Sequence, residues 1–344
     1  MPPMSILTAA DPRVVQLKEL LAGSKRIAIV GHYNPDGDAI GSTLGLALVL
    51  KAAGHTVQVV MPNPAGAFLS RLTGYSEIVC FTERPAAALD AIKKCDVLFC
   101  LDFNRSNRTG GLEEVVAAAP VRVLIDHHQD PEKFSPVMFS DTSACSTCQM
   151  VYDIVNALGL LELITQDVAT CLYTGLVTDT GSFRFRSTTA HTMKVGAALI
   201  EKGVDIEAVH SSISDDNTED RLRLLGLTLS ERMQVLPEYS TVIISLSKED
   251  LKRYNFKQGD TEGFVNYGLS IRGIRLSAFF VERPDMVKIS LRSKNNLFVD
   301  KFLGENFQGG GHRNAAGGQD EGPLQSTVDR FKALLPGLIN EFPA

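Results

Sequence analysis

The sequence predicts a two-domain α/β protein, an N-terminal doubly wound parallel sheet followed by a smaller C-terminal α+β domain. Three observations carry this. Through the first 125 residues, short continuous runs of β-branched and apolar residues alternate with Ala- and Leu-rich stretches, the pattern of a parallel sheet buried on both faces. From about residue 146 the pattern turns helical. After Pro237 strand-like runs return, followed by a glycine-rich stretch and one more helical segment, as expected of a second folding unit.

The expected strands of the first domain are 25–31 (KRIAIVG), 56–61, 77–81, 96–101 and 121–125, with helices at 39–53 and 85–94 between them. Parallel neighbours of this kind are joined by right-handed crossovers, which makes the sheet doubly wound. Helices are expected over 146–158, 165–178, 189–202 and 217–235. Strands 241–246, 272–282 and 286–292, a glycine-rich loop at 309–318 and a helix at 323–335 complete the chain. The domain boundaries read as 1–212 and 238–344, joined by a helical linker over 213–237.

With 44% hydrophobic and 22% charged residues among 344, the chain has the profile of a soluble globular protein. No apolar run approaches the ~18 residues of a membrane span, and the N-terminus lacks a basic-then-apolar signal. A cytoplasmic location and no membrane partner are expected. The net charge of −6 argues against a broad basic face for long nucleic acid. Six cysteines read as reduced thiols. Cys145 and Cys148 form a C-x-x-C without a second pair and read as small core residues at a capped helix start.

The chemistry concentrates where strands end, because the carboxyl edge of a parallel sheet lines the ligand crevice. Strand 25–31 runs into His32, Asp36 and Asp38 in GHYNPDGDAIGS; strand 96–101 ends at Asp102; strand 121–125 ends at Asp126-His127-His128 in VLIDHHQD. Asp179, in GLVTDTGSF, closes a helical segment. An Asp after a strand is often a helix cap or turn residue, so each alone is weak. His32, Asp36, Asp38, Asp102, His127 and Asp179 together are candidate metal ligands. Four carboxylates cannot gather in a pocket without cations to balance them. The oxygen-rich donor set with some nitrogen suits two Mn2+ ions, or Mg2+, better than a structural zinc.

These residues resemble the four motifs of the DHH phosphoesterase superfamily, and GGGHRNAAGG at 309–318 resembles the glycine-rich motif of its associated C-terminal domain. The resemblance spans nearly the whole chain. It implies one metal on His32, Asp36 and Asp102 and a second on Asp38, Asp102, His127 and Asp179, with Asp102 bridging. It implies an active site in the interdomain cleft, where the catalytic residues are Asp102 together with His128 and His312, the two histidines facing the substrate phosphate. Asp126 orients its neighbours. Gly310, Gly311, Arg313 and Arg292 join His128 and His312 as substrate-binding candidates, since glycine-rich backbone can turn N–H groups toward an anion. Arg272, Arg275 and Arg283 read as surface charges.

The implied reaction is metal-dependent hydrolysis of short oligoribonucleotides, about two to five nucleotides long, to mononucleotides, and of 3′-phosphoadenosine 5′-phosphate (pAp) to AMP. Short RNA and pAp are the expected partners, long nucleic acid is not, and a homodimer is left open. Three other readings stand beside this one. A stand-alone cyclic-dinucleotide or pApA phosphodiesterase shares the motifs. A manganese inorganic pyrophosphatase shares the catalytic half but not the GGGH stretch. A nucleotide-sensing protein would bind without turnover.

Overall fold

The computed structural model describes residues 7–215 and 217–342. The chain divides into two compact units, between residues 216 and 217.

The first unit contains, in order, α1 (Pro12–Leu20), β1 (Arg26–Val30), α2 (Gly37–Ala52), β2 (Thr56–Met61), β3 (Val79–Cys80), α3 (Pro85–Lys93), β4 (Val97–Leu101), α4 (Glu113–Ala118), β5 (Arg122–Asp126) and β6 (Val137–Ser140). Four helices complete it: α5 (Thr147–Leu158), α6 (Gln166–Asp179), α7 (Ala190–Glu201) and α8 (Ile206–Ser214). The six strands form one sheet in the order β3-β2-β1-β4-β5-β6, and every pair is parallel. This is the doubly wound arrangement expected from the alternating pattern. Strand β6 was not foreseen; its four residues in SPVMFSD are too few to show a period.

Alternation along β1 explains the two layers. Ile27 and Ile29 point into a core shared with Ile40 and Leu44 of α2 and Val151 of α5. Ala28 and Val30 point the other way, into a core with Ile92 of α3 and Val116 of α4. Side chains two residues apart share a sheet face, so one strand feeds both cores. Ser146 caps α5, its side chain accepting from the Gln149 amide, and Gly159 ends the helix in the left-handed region. Thr165 caps α6 in the same way.

The second unit contains α9 (Glu219–Glu231), β7 (Met233–Leu236), β8 (Thr241–Leu246), α10 (Lys248–Arg253), α11 (Phe264–Leu269), β9 (Leu276–Glu282), β10 (Val287–Ser293), α12 (Asp300–Asn306), β11 (Gln308–His312), β12 (Ala315–Asp320) and α13 (Leu324–Glu341). Its mixed sheet has the order β11-β12-β10-β9-β8-β7, antiparallel except for β8 and β9. Leu224 and Leu227 of α9 pack into this unit's core.

Three local expectations are corrected. The helix expected through 235 stops at Glu231 because Met233–Leu236 pairs with β8. The glycine-rich stretch is a β-hairpin, β11 and β12, rather than a loop. Glycine carries little strand propensity, but its backbone pairs as any other does. Helix α13 continues past Pro336, because Val328, Phe331, Leu335 and Leu338 form one buried row that extends the apolar face beyond the proline.

Candidate metal centre

The strand order reverses between β1 and β4, and in such sheets the crevice at the reversal takes the ligand. β1 and β4 are paired neighbours, so His32, two residues beyond β1, and Asp102, directly after β4, emerge side by side. Asp36 caps α2, its Oδ1 accepting from the amides of Asp38 (3.0 Å) and Ala39 (3.1 Å). Asp38 lies in the first turn of α2, fully buried. His127 and His128 follow β5, and Asp179 is the last residue of α6.

Of the groups that could hold a metal ion among the described residues, two consist only of the expected ligands. His32, Asp36 and Asp102 form one, and Asp38, Asp102 and His127 form the other, the donor atoms of each lying within 4.8 Å of one another. His32 Nε2 is 3.5 Å from Asp102 Oδ2 and 3.8 Å from Asp36 Oδ1. His127 Nε2 is 3.2 Å from Asp179 Oδ2, 3.6 Å from Asp102 Oδ1 and 3.7 Å from Asp38 Oδ2. Asp102 gives one oxygen to each imidazole. Atoms bound to one divalent ion at about 2.0–2.2 Å lie roughly 3–3.5 Å apart, so this spacing fits.

Protonation supports the fit. His32 Nδ1 is 2.9 Å from the Tyr33 carbonyl and His127 Nδ1 is 3.3 Å from the Ala144 carbonyl. With Nδ1 donating, each neutral ring turns an Nε2 lone pair toward carboxylate oxygens that are themselves acceptors. Only a proton or a cation relieves that opposition. Burial works against charge on His32, yet Asp102 and Asp36 outweigh it and raise its pKa to about 10. His127 is likewise raised against burial, chiefly by Asp102 and Asp38. Burial, together with the charge of Asp38, drives Asp102 well above the carboxylate range. These groups can hold a divalent cation, and the absence of thiolate from the set favours a hard ion.

Asp102 adopts φ +64°, a left-handed conformation uncommon for a residue other than glycine and costly enough to mark functional sites. Its Oδ1 accepts from the Thr147 hydroxyl at 2.9 Å. Asp38 accepts from two amides at the start of α5, Thr147 (2.6 Å, to Oδ2) and Cys148 (2.9 Å, to Oδ1), a helix N-terminus holding an anion. Sequence reading missed Thr147. Its signal was the Ser146 cap before α5, which revealed a helix start but not what that start faces.

His128 Nδ1 lies 2.8 Å from Asp126 Oδ1, and Asp126 is fully buried. Burial lowers the His128 pKa, against the pull of Asp126, so the ring is neutral near pH 7 and its tautomer is set by the carboxylate.

The other site candidates lie in the second unit. Arg292 of β10 and His312 of β11 both stand opposite Ala315 of β12, and directly opposed residues share a sheet face. Gly311 has φ +140°, and a Cβ there would lie 2.8 Å from the Ala315 carbonyl, so glycine at this position serves the hairpin backbone. The Arg313 guanidinium sits over the Phe298 ring, 5.1 Å from its centroid.

The comparisons with known proteins show a hydrolase acting on phosphoric ester bonds. The chain belongs to the DHH family: residues 26–176 match the N-terminal domain of that family, and residues 239–341 match the DHHA1 domain. It is 30% identical over 90% of its length to the bifunctional oligoribonuclease and PAP phosphatase NrnA of Thermus thermophilus, covering 90% of that protein. The cyclic-di-AMP phosphodiesterase PdeA of Listeria monocytogenes is 28% identical, with this chain spanning 48% of it. A crystal structure of an exopolyphosphatase-related protein from Bacteroides fragilis superimposes with a TM-score of 0.91 at 35% identity, over 95% of this chain and 97% of that one.

Proposed function

We propose that the protein hydrolyses short oligoribonucleotides of about two to five nucleotides to mononucleotides, and pAp to AMP, using two divalent ions, Mn2+ foremost. One ion is assigned to His32, Asp36 and Asp102, the other to Asp38, Asp102, His127 and Asp179. The observation that carries this reading is Asp102, one carboxylate directed at two imidazoles. The chemistry such an ion pair supplies is Lewis-acid polarisation of a phosphoryl oxygen and activation of water near neutral pH.

The chain's own residues do the rest. Asp126 fixes the His128 tautomer with its proton on Nδ1, which leaves Nε2 of the neutral ring unprotonated. Once it takes up a proton, Nε2 can donate a hydrogen bond to a non-bridging phosphate oxygen as charge develops. The amides of Thr147 and Cys148 hold Asp38 so that its oxygens need no reorganisation during the reaction. His312 and Arg292, on one sheet face of the second unit, are assigned to substrate phosphate, with Gly310 as open backbone beside them.

The NrnA relative supports this reading, being 30% identical over nine-tenths of both chains. A phosphodiesterase acting on cyclic di-AMP remains the second reading because PdeA matches 92% of this chain. A manganese inorganic pyrophosphatase would not be expected to carry the GGGH stretch of the β11–β12 hairpin. Rates for a trinucleotide, a 24-mer, pAp, cyclic di-AMP and pyrophosphate with the Mn2+-loaded protein test the proposal. The expected order places the trinucleotide first, with pAp losing its 3′-phosphate. Faster turnover of cyclic di-AMP, or equal and processive cutting of the 24-mer, overturns it.

A further inference from the structure

The three strands β11, β12 and β10 present a regular grid on one face, set by their register. His312, Ala315 and Arg292 form a first row. Gly310, Gly317 and Ser290 form a second, and Gln308, Gln319 and Lys288 a third. Rows are two residues apart, so the first and third are separated by about 13 Å. The opposite face is occupied, since Ile289, Leu291 and Ala316 are buried in a core with Leu303 of α12 and Phe331 of α13.

The middle row is open. A Cβ on Gly310 would meet nothing within 4 Å, and one on Gly317 would meet only the Ile289 carbonyl, at 3.9 Å. Neither glycine has positive φ. Backbone conformation and packing therefore both admit a larger residue at these two facing positions, and a close-approaching ligand is what a pair of glycines there accommodates.

The third row ends in a cation without a partner. Lys288 is exposed, and among the described residues its side chain makes no hydrogen bond or ion pair. Crowding by surrounding atoms lowers its pKa, and the charges of Arg283 and Arg292 lower it further, against Glu262. Arg283 itself sits over Phe256, its guanidinium carbon 4.3 Å from the ring centroid. An anion at Lys288 would relieve this like-charge crowding.

We infer that this face carries a second nucleotide subsite, in which Lys288 binds the phosphate of a nucleotide beyond the one held at His312 and Arg292, while the Gly310–Gly317 floor seats the sugar and base between them. The inference rests on the oligonucleotide reading above and extends it, because pAp would use the first row alone and an oligonucleotide all three. The face thereby reads substrate length.

Kinetics of pAp and of a 5′-phosphorylated triadenylate with the full-length Mn2+-loaded protein test this. In Lys288→Ala the ratio of kcat/KM for the triadenylate to that for pAp falls about five- to tenfold, the loss of one exposed charged contact. Lys288→Arg restores most of it. The logarithmic salt dependence of triadenylate binding becomes shallower by about 0.7 in Lys288→Ala, one phosphate contact on a single strand. Gly317→Val, which fits the strand, lowers the same ratio by filling the floor. A ratio equal to wild type in both Lys288→Ala and Gly317→Val overturns the subsite. If the wild-type protein turns over neither the triadenylate nor pAp, the oligonucleotide reading fails and the subsite with it.

Discussion

The Thr147 hydroxyl donates to Asp102 Oδ1 at 2.9 Å, across 45 residues of sequence. Its own amide holds Asp38 at 2.6 Å, so one residue at the start of α5 orients two carboxylates. Replacing Thr147 by Val keeps the shape and the amide while deleting the hydroxyl. Mn2+ affinity is expected to fall about 10- to 100-fold, the usual cost of losing a group that orients a ligand, with activity recovering at saturating Mn2+. Calorimetric titration checks it; unchanged affinity would show that Asp102 is held by other means.

Asp102→Asn tests the shared carboxylate itself. Asn tolerates the left-handed backbone that Asp102 adopts, so the fold should survive. Bound Mn2+ is expected to drop from two ions toward one or none, and hydrolysis to disappear. Metal analysis after gel filtration, alongside the thermal midpoint, reads both effects. Two retained ions and a normal rate would remove Asp102 from its bridging role.

His312→Ala separates substrate contact from metal binding. Turnover of the trinucleotide is expected to fall by about two to three orders of magnitude, as for a lost transition-state donor, with Mn2+ content unchanged. Collapse of the metal content would instead make His312 a ligand.

The Arg232–Asp250 pair gives the second unit a pH dependence of stability. The guanidinium donates to both carboxylate oxygens, at 2.9 and 3.0 Å, and Asp250 is only 6% exposed. Burial opposes the charge of Asp250, but Arg232 and the Ser247 amide outweigh it and lower its pKa. A depressed carboxylate stabilises the fold above its unfolded value of about 3.9, and that contribution is lost as pH falls through the folded value. Asp250→Asn is expected to cost about 1–3 kcal/mol at pH 7 and less at pH 3. Urea unfolding at the two pH values measures the difference; an equal cost at both would assign the effect to packing.

Much of the fold was readable because strands announce themselves and their ends were chemically conspicuous. Ile27 to Val30 and Val97 to Leu101 are continuous apolar runs, and each leads into a His or an Asp. That β1 and β4 are neighbours was not read; the doubly wound pattern placed their ends only on one edge of the sheet. Thr147 was not readable, since it reaches Asp38 across 109 residues and no local period encodes that meeting. Strands β7 and β11 were missed for opposite reasons. Met233–Leu236 looks like the end of a helix until β8 pairs with it, and Gln308–His312 is so rich in glycine that propensity argues against a strand.

The contact between α2 and α6 has a consequence at the level of ion size. Along α2, Gly37, Gly41 and Gly45 recur every four residues and face α6, where a Cβ on Gly41 would come 3.2 Å from the Gly175 amide and one on Gly45 would strike Leu172. A Cβ on Gly175 would in turn fall 2.8 Å from Asp38 Oδ1. Asp38 lies in the first turn of one of these helices and Asp179 ends the other, so bare backbone fixes the gap between two of the assigned ligands like the jaws of a calliper. Mg2+ asks for oxygens at about 2.0–2.1 Å and Ca2+ for 2.3–2.6 Å. A single methyl at position 41, touching no ion, would open the jaws and move the preference toward the larger cation.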